Sequence, residues 1–218
     1  MERARRRSMN RELFLHGIRQ AIASSPGLRA RSALPERPQP PAYGEGRIGQ
    51  FTGRLEAHAC TWEEIETLDA LPGRVLAWLD ERRIERRLAV APPLGGLPWP
   101  EGVHHHSAPA GIDESVAVSL AFAGIAESGS LAMYSGPDSP ITHNFVPEFH
   151  LIAIRAEDVC DSQEGVWAKL RARGDMPRAL NLIAGPSRTG DVEQTIQLGA
   201  HGPRQVHVLL VRAKGGKS

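Results

Sequence analysis

The residues best suited to chemistry lie in one segment near the carboxyl end of the chain, residues 185–211. Arg188 stands in a first polar loop, and His201 and Arg204 stand in a second polar loop that follows it. The guanidinium of an arginine presents a planar, two-pronged set of donors that suits a carboxylate or a phosphate. Backbone N–H groups of glycine-rich chain beside an arginine add to such a site. The segment therefore predicts a site for a small anion.

Polar and small residues make up the predicted anion site: Ser187, Arg188, Thr189, Gly190, Asp191, Glu193 and Arg204. Ser187 or Thr189 is predicted to cap a short helix. Asp191 and Glu193 would lie in its first turn, where carboxylates favour the positive end of the helix dipole. Gly199 would end the helix. In the alternative interpretation, the arginines and carboxylates of this set form a structural ion-pair network that holds the two loops together.

Three other side chains are candidates for catalysis. His143, in a loop between two prolines, or His201 would handle a proton. Glu127 lies in the sequence ESGS, between two apolar segments, and would act as a nucleophile or base only if the fold carries it towards Arg188. A lone carboxylate in a tight turn is otherwise solvated. His150, within an apolar strand, is interpreted as a buried core group.

The consecutive histidines at 104–106 suggest a metal site at first sight. Successive side chains of a strand point to opposite faces, so at most His104 and His106 would share a ligand. Two histidines rarely complete a metal site. We therefore assign no metal to this chain and interpret these residues as a polar strand end.

The elements that position these residues follow an α/β pattern. Strands are predicted at 88–91, 116–122, 149–154, 180–184 and 205–212, a hairpin turn at 127–130, and helices at 62–68, 72–83 and 163–173. From residue 148 onward, a strand, a helix and a second strand predict a right-handed crossover in an open parallel sheet. Ligands of such sheets bind beyond the carboxyl ends of the strands, where the Arg188 loop would lie.

The first fifty residues differ from the rest in composition. Ser8 or Asn10 caps a predicted helix that runs to about Ala23, and residues 24–50 are rich in proline. We predict an N-terminal helical arm at 1–50, which lies on its own domain or crosses to another copy of the chain, and an α/β domain at 51–218.

Composition excludes several classes of protein. The chain has 218 residues and a net charge of +1, so no global charge favours nucleic acid. No apolar run is long enough for a membrane span, and no apolar segment follows the basic first residues as in a signal peptide. Two cysteines are too few for a typical iron–sulfur cluster, and no cofactor is expected in this chain. The expected location is the cytoplasm.

Several motifs resemble one known family. Four segments of the chain resemble the LUD-domain family, in its lactate utilization protein C (LutC, formerly DUF162) branch. They are GIAESGSL at 124–131, the strand around His150, GPSRTGDVE at 185–193 and LGAHGPRQVHVLLV at 198–211. The resemblance implies a three-layer α/β/α, Rossmann-like domain, similar to that of ribose-phosphate isomerases, CoA-transferases and formyltetrahydrofolate cyclo-ligases.

The resemblance also implies a setting, the oxidation of L-lactate to pyruvate by a cytoplasmic complex with two iron–sulfur subunits. This chain would be the subunit without a cluster, binding a small carboxylate or a phosphate-bearing ligand. Two alternatives stay open: an independent enzyme of the CoA-transferase or cyclo-ligase type that uses Glu127, and a non-catalytic assembly module. Shared fold alone does not decide between them.

Overall fold

The structure, a computed structural model, describes residues 11–24, 39–190, 196–199 and 201–212. Its contacts divide the chain into two compact units, Met1–Gln39 and Pro40–Ser218. The first unit contains the helix α1 (Arg11–Ser24), which confirms the predicted first helix. Its predicted caps, Ser8 and Asn10, lie outside the described residues. None of the helices in the described ranges is long and apolar enough to cross a membrane.

A parallel sheet forms the centre of the second unit. Its strands are β1 (Thr61–Ile65), β2 (Arg87–Val90), β3 (His104–His106), β4 (Val116–Leu120), β7 (Phe149–Arg155) and β12 (Gln205–Val211). Their order in the sheet is β1-β12-β7-β4-β2-β3, and every pairing among them is parallel. Strands buried on both faces need apolar side chains in both directions, which explains the continuous apolar runs of β4, β7 and β12.

Helix α3 (Leu71–Arg82) covers one face of this sheet. Its buried side chains Val75, Trp78 and Leu79 pack in one cluster with residues from β2, β4, β7 and β12. Pro72 lies in the first turn of α3, as predicted, where a missing N–H group costs no helical hydrogen bond. A short helix, α4 (Pro92–Gly95), follows β2.

A second, four-stranded sheet and helix α2 (Arg47–Ala57) cover the opposite face. The small sheet has the order β8-β5-β6-β9, with β5 (Ala123–Ile125), β6 (Ser130–Tyr134), β8 (Val159–Cys160) and β9 (Leu180–Ile183). Phe51 and Leu55 of α2 share a buried cluster with residues of β6, β7 and β12. Helix α5 (Gln163–Arg173) packs on the outer face of the small sheet through Val166. The α/β class and its Rossmann-like parallel sheet are therefore confirmed.

The predicted helix at 62–68 is wrong, because residues 61–65 form β1. Carboxylates that would suit a first helical turn lie instead on an edge strand, where Glu64 is exposed. The partner of this strand is β12, with Thr61 opposite His207, and a local pattern cannot reveal a partner so distant in sequence. Helix α2 was not predicted, since it begins within the stretch assigned to the proline-rich arm.

The predicted helix after Arg188 is also wrong. A two-stranded antiparallel hairpin, β10 (Arg188–Gly190) and β11 (Ile196–Leu198), stands there, and residues 191–195 lie outside the described part. The predicted crossover fails as well, because β9 pairs antiparallel with β6 in the small sheet and does not join the central one. The other predicted strands, the 127–130 turn and the helices at 72–83 and 163–173 are confirmed, with end shifts of a few residues.

Candidate functional site

The two motif loops leave the same end of the small sheet. The turn with Glu127 and Ser128 comes directly before β6, and the loop with Arg188 comes directly after β9. Leu131 of β6 is paired with Ile183 of β9, so the two loops leave neighbouring strands at one end. The fold thus brings Glu127 and Arg188 to the same end of the small sheet, which spacing in the sequence could not show.

A third segment, which follows β8, lies at the same end of the small sheet. Asp161 directly follows β8, and its carbonyl oxygen accepts a hydrogen bond of 3.0 Å from the backbone N–H of Glu127. One carboxylate oxygen of Asp161 accepts a 3.3 Å hydrogen bond from the backbone N–H of Tyr43. The turn that carries Glu127 is therefore held at its backbone, while the Glu127 side chain is exposed.

Helix α2 lies across this end of the small sheet. A Cβ added at Gly129 would lie 2.6 Å from Cβ of Arg54, and one added at Gly185 would lie 2.6 Å from the carbonyl oxygen of His58. At the other end of the helix, Arg47 lies near β8, since its charge acts on Cys160 of that strand. Burial raises the pKa of the Cys160 thiol, and the charges of Lys169 and Arg47 oppose that rise. Along its length, α2 thus passes β8, the β5–β6 turn and the end of β9, which is the order of the strands.

Both motif glycines are explained by this close approach. Gly129 has a φ of +69° and Gly185 a φ of +145°, backbone conformations that side chains with a Cβ rarely adopt. In each case the nearest atoms belong to α2 or its carboxyl end. The glycines therefore let the two loops approach the helix backbone.

Arg188 lies beside an open cavity of about 310 Å³, lined by His58, Ala184, Gly185, Pro186 and Arg188 itself. The side chain is exposed, and its Nη2 donates a 3.1 Å hydrogen bond to the carbonyl oxygen of His58. Burial raises the pKa of the nearby Cys60 thiol to about 11, although the charge of Arg188 opposes that rise. Cys60 is therefore a neutral thiol at physiological pH and not a nucleophile.

The position of this cavity differs from the predicted one. Ser187 donates its backbone N–H to the carbonyl oxygen of Pro203, just before β12, and His58 stands just before β1. The Arg188 loop therefore lies by the amino ends of these two central strands, not beyond the carboxyl ends of central strands. The reason is that β9, which leads into the loop, belongs to the small sheet.

The predicted cradle of backbone N–H groups does not form as expected. The N–H of Ser187 is bonded to Pro203 at 2.8 Å, and no helix begins there. Thr189 and Gly190 are residues of β10, paired with Gln197 and Ile196. Asp191 and Glu193 lie outside the described residues. Among the described groups, the guanidinium of Arg188 is the main donor that faces the cavity.

Arg204 and His201 line a different cavity of about 720 Å³, next to Phe145, Val146 and Glu148. Nε of Arg204 lies 2.5 Å from a carboxylate oxygen of Glu148, and its guanidinium lies 5.0 Å from the ring centre of Phe149. The described ion pair of Arg204 is thus made with a residue that the sequence did not single out. The two predicted anion-binding arginines, Arg188 and Arg204, therefore line different cavities.

His143 is fully buried and lines neither cavity. Its Nε2 lies 3.3 Å from the carbonyl oxygen of Ala108, its Nδ1 lies 3.4 Å from Oγ of Ser119, and Nε2 of His150 lies 3.0 Å from the same oxygen. A carbonyl only accepts, so His143 donates from Nε2, Ser119 donates to Nδ1, and His150 donates to Ser119. The arrangement is a buried hydrogen-bonded chain, and His150 is the core group that was predicted.

These histidines should make stability depend on pH. Burial lowers the pKa of His150 from 6.5 to about 3 and lowers that of His143. Between these values the unfolded chain binds a proton at position 150 and the folded chain does not, so the free energy of unfolding should fall as pH decreases from about 6.5. The fall is at most about 1.4 kcal/mol per pH unit for one group. Urea denaturation of the wild type and of His150→Gln at pH 7 and pH 5 measures it.

The variant His150→Gln should lose much of this pH dependence, whereas His201→Gln, which alters an exposed histidine, should keep it. Equal pH dependence in the wild type and His150→Gln would show that His150 is protonated in the folded protein.

The histidines at 104–106 form β3, as the alternation argument requires. His106 is paired with Glu114 through Nε2, and Glu114 also accepts a 2.6 Å hydrogen bond from the backbone N–H of Gly111. Within the described ranges, no three histidine, cysteine, aspartate or glutamate side chains are grouped so that they could hold a metal ion.

Helix α2 and its C-cap residue, His58, were missed by sequence reasoning. Arg47, Arg54 and His58 follow each other at intervals of seven and four, which places them on one side of a helix. That spacing was the available signal. It was obscured because the preceding prolines and the glycines at 49 and 53 favour irregular chain.

Comparison with known families agrees with the motifs. Residues 113–211 match the family model described as the LUD domain, which includes both motif loops but not α2. An uncharacterized protein of Neisseria meningitidis serogroup B is 34% identical over 40% of this chain and 38% of its own length. The lactate utilization protein C of Deinococcus radiodurans is 28% identical over 91% of this chain and 93% of its own length.

The extent of these matches varies. The chain spans between 38% and 51% of the length of three curated relatives that are 30–34% identical to it. Among solved structures, a DUF162 family protein from Deinococcus radiodurans superposes with a TM-score of 0.56, covering 79% of this chain and 99% of that one. At 20% sequence identity, this likeness concerns the fold alone.

Proposed function

We propose that this protein is a LutC-like subunit that binds a small carboxylate at Arg188, because residues 113–211 match the LUD-domain family model and a lactate utilization protein C aligns with most of the chain. The reaction it serves is the oxidation of L-lactate to pyruvate in a cytoplasmic complex. Its own part is to bind and orient the acid.

The observation that carries the proposal is the guanidinium of Arg188 at an open cavity. Its described hydrogen bond uses one N–H group and goes to a backbone carbonyl, and the described residues leave the remaining donors for a ligand. An arginine matches a carboxylate with two parallel hydrogen bonds, and such charge-assisted bonds are stronger than neutral ones. A small hydroxy or keto acid fits within the volume of about 310 Å³.

The electron transfer is assigned to partner subunits. Conversion of lactate to pyruvate releases two electrons and two protons, which an acceptor must take. The chain has only Cys60 and Cys160, too few for a typical iron–sulfur cluster, and both are free cysteines with raised pKa values. We therefore place the clusters in iron–sulfur partners, and co-purification of a tagged chain with cluster-bearing proteins tests this.

Binding of pyruvate and L-lactate to the purified chain, measured by calorimetry, is the direct test of the carboxylate site. Arg188→Ala should weaken binding by about tenfold or more, because it removes charge-assisted hydrogen bonds. Arg188→Lys should restore part of the affinity, since it keeps the charge but not the two-pronged geometry. Arg171 is an exposed arginine of α5, so Arg171→Ala is the matched control and should bind like the wild type.

Two outcomes would contradict the proposal. One is equal affinity of Arg188→Ala and the wild type, and the other is an equal loss in Arg188→Ala and Arg171→Ala. A circular dichroism spectrum and a melting temperature for each variant establish that it is folded.

Glu127 supports a second candidate, an independent enzyme of the transferase type. Its exposed carboxylate stands at the same sheet end as Arg188, where it would attack or deprotonate a bound acyl compound. Turnover by the isolated chain that is abolished in Glu127→Gln, with binding retained, would favour this candidate over the subunit role.

A further inference from the structure

A separate cavity, of about 260 Å³, lies between helix α3 and the strands β1 and β12. Thr61, Glu63 and His207 line it from the strands, and it shares no lining residue with the cavities at Arg188 and Arg204. The function proposed above uses none of these three side chains. A hydroxyl, an imidazole and a carboxylate, the groups that act together in nucleophilic catalysis, thus share one cavity.

The alternation of side chains along the strands explains why these three groups meet. Ile65 of β1 and Leu209 of β12 belong to the buried cluster that contains α3, and residues two apart along a strand share a face. Thr61 and Glu63 therefore face α3 from β1, and His207 faces α3 from β12. Thr61 is also directly paired with His207 in the parallel register of the two strands.

His207 is hydrogen-bonded at both ring nitrogens. Its Nε2 lies 3.4 Å from a carboxylate oxygen of Glu63, and its Nδ1 lies 2.8 Å from Oγ1 of Thr61. A carboxylate only accepts, so Nε2 donates to Glu63, and the unprotonated Nδ1 accepts the hydroxyl hydrogen of Thr61. Thr61 is exposed, so a substrate can reach its hydroxyl. A nucleophile, a base and a carboxylate that orients the base are therefore linked in series.

The imidazole of His207 is in the form that a base requires. Burial lowers the pKa of His207, the carboxylate of Glu63 opposes that effect, and the charges of Arg82 and Arg74 lower the pKa further. Glu81, the remaining charged residue of the cavity lining, is paired with Arg82. His207 is therefore neutral at physiological pH, and its Nδ1 is available for a proton.

Two arginines of α3 add positive charge to the lining. Arg74 is bonded to Glu63 through Nε and Nη2, and Arg82 is bonded to Glu81 through Nη1. The described residues leave Nη1 of Arg74 and Nη2 of Arg82 for a ligand. Donors of this kind stabilise an oxygen that becomes negative during a reaction.

We propose that this cavity is a second reactive site, in which Thr61 is a nucleophile for acyl transfer from small esters. Oγ1 of Thr61 attacks the carbonyl carbon, and its proton passes to Nδ1 of His207. The bond from this carbon to the alcohol oxygen breaks, the leaving alkoxide takes the proton, and the acyl group stays on Oγ1. Water, deprotonated by the same nitrogen, then releases the acid and restores the threonine. Glu63 is a positioning residue, which keeps Nδ1 directed at the hydroxyl.

Hydrolysis of p-nitrophenyl acetate by the full chain, followed as release of p-nitrophenolate, tests the site. Thr61→Val removes the hydroxyl and keeps the branched shape that suits a strand, so the rate should fall by about 100-fold or more. Thr61→Ser keeps a hydroxyl and should retain a measurable part of the rate. Thr67→Val alters an exposed threonine outside both strands and is the matched control, which should react like the wild type.

His207→Asn separates a catalytic base from a structural contact. An amide oxygen accepts the hydrogen bond of the hydroxyl but does not take up its proton, so the folded variant should lose about 100-fold in rate. A folded His207→Asn protein that reacts like the wild type would overturn the proposal.

The pH dependence tests the role of Glu63. The wild-type rate should fall as pH decreases below about 6.5, because His207 then takes up a proton. Glu63→Gln should move the midpoint of this fall to lower pH, since the carboxylate raises the pKa of His207. A contact that only held β1 in place would leave the midpoint unchanged.

A fluorophosphonate identifies the nucleophile directly, because an oxygen–phosphorus bond forms, fluoride leaves with the proton, and the adduct is stable. Peptide mass spectrometry of the labelled wild type should find the adduct at Thr61 and not at Thr67. Equal ester hydrolysis by the wild type and Thr61→Val, or no adduct at Thr61, overturns the proposal even where His207→Asn does not fold. These outcomes leave pyruvate binding at Arg188 unaffected, since the two sites share no residue.

Discussion

Replacing Phe51 with alanine is expected to lower the free energy of unfolding by about 3–5 kcal/mol. Phe51 is fully buried in the cluster that joins α2 to the central sheet, and its ring lies over Gly124 of β5, where an added Cβ would come within 3.1 Å of it. The substitution removes apolar surface from the core and leaves a cavity that the surrounding strands cannot close.

Urea denaturation followed by circular dichroism measures this loss. Phe145→Ala is the matched control, because that phenylalanine is 47% exposed and its truncation should change the unfolding free energy by less than about 1 kcal/mol. Since α2 lies against both motif loops, Phe51→Ala should also weaken pyruvate binding. A loss similar to that of Phe145→Ala would mean that α2 is not packed on the sheet as described.

Replacing Gly129 with alanine should cost about 2–4 kcal/mol, from backbone strain and overpacking together. The φ of +69° is unfavourable for alanine, and the new Cβ would meet Cβ of Arg54 at 2.6 Å and its backbone carbonyl carbon at 2.8 Å. Backbone cannot move aside as a flexible side chain can, so α2 and the β5–β6 turn would have to separate.

The control for this variant lies in α2, the helix that the turn contacts. An added Cβ at Gly53 would meet nothing within 4 Å, so Gly53→Ala should stabilise the protein by up to about 1 kcal/mol through helix propensity. Thermal and urea unfolding of both variants would give changes of opposite sign. A Gly129→Ala protein as stable as the wild type would contradict the close approach of the turn and α2.

The elements that sequence predicted best are those with local signals. Helix α5 is followed by its C-cap Gly174, which has a φ of +86°. The apolar runs of β7 and β12 are long and bounded by polar loops. The turn at 127–130 was signalled by its Ser-Gly pair. In each of these cases the short-range preferences and the tertiary structure agree.

The errors arise where distant contacts decide the structure. The sequence TWEEI satisfies a helical start as well as an edge strand, and only pairing with β12 selects the strand. Two glycines weaken the helical signal of α2, and the burial of Phe51 and Leu55 stabilises the helix despite them. Strand β9 has the apolar character of a central strand, but its partner is β6.

The sequence suggested residues for the candidate site, but it could not give their arrangement. Arg188 lies at an open cavity, whereas Arg204 lies in another cavity with Glu148, and His143 is buried in the core. The pairing of β6 with β9 decides which loops lie at the same end of the small sheet, and no local sequence pattern contains that information.

The position of β12 has a consequence for how the protein is made. Within the described sheets, β1 has one neighbour, β12, and side chains reinforce that pairing: Oγ1 of Thr61 lies 2.8 Å from Nδ1 of His207, and Nε of Arg212 donates to Glu64 at 2.7 Å. During synthesis, β1 emerges early and has no strand to pair with until nearly all of the described chain has been translated. The central sheet is therefore complete only after translation of β12. Until then, the nascent chain exposes the unpaired edge of β7, where β12 will pair.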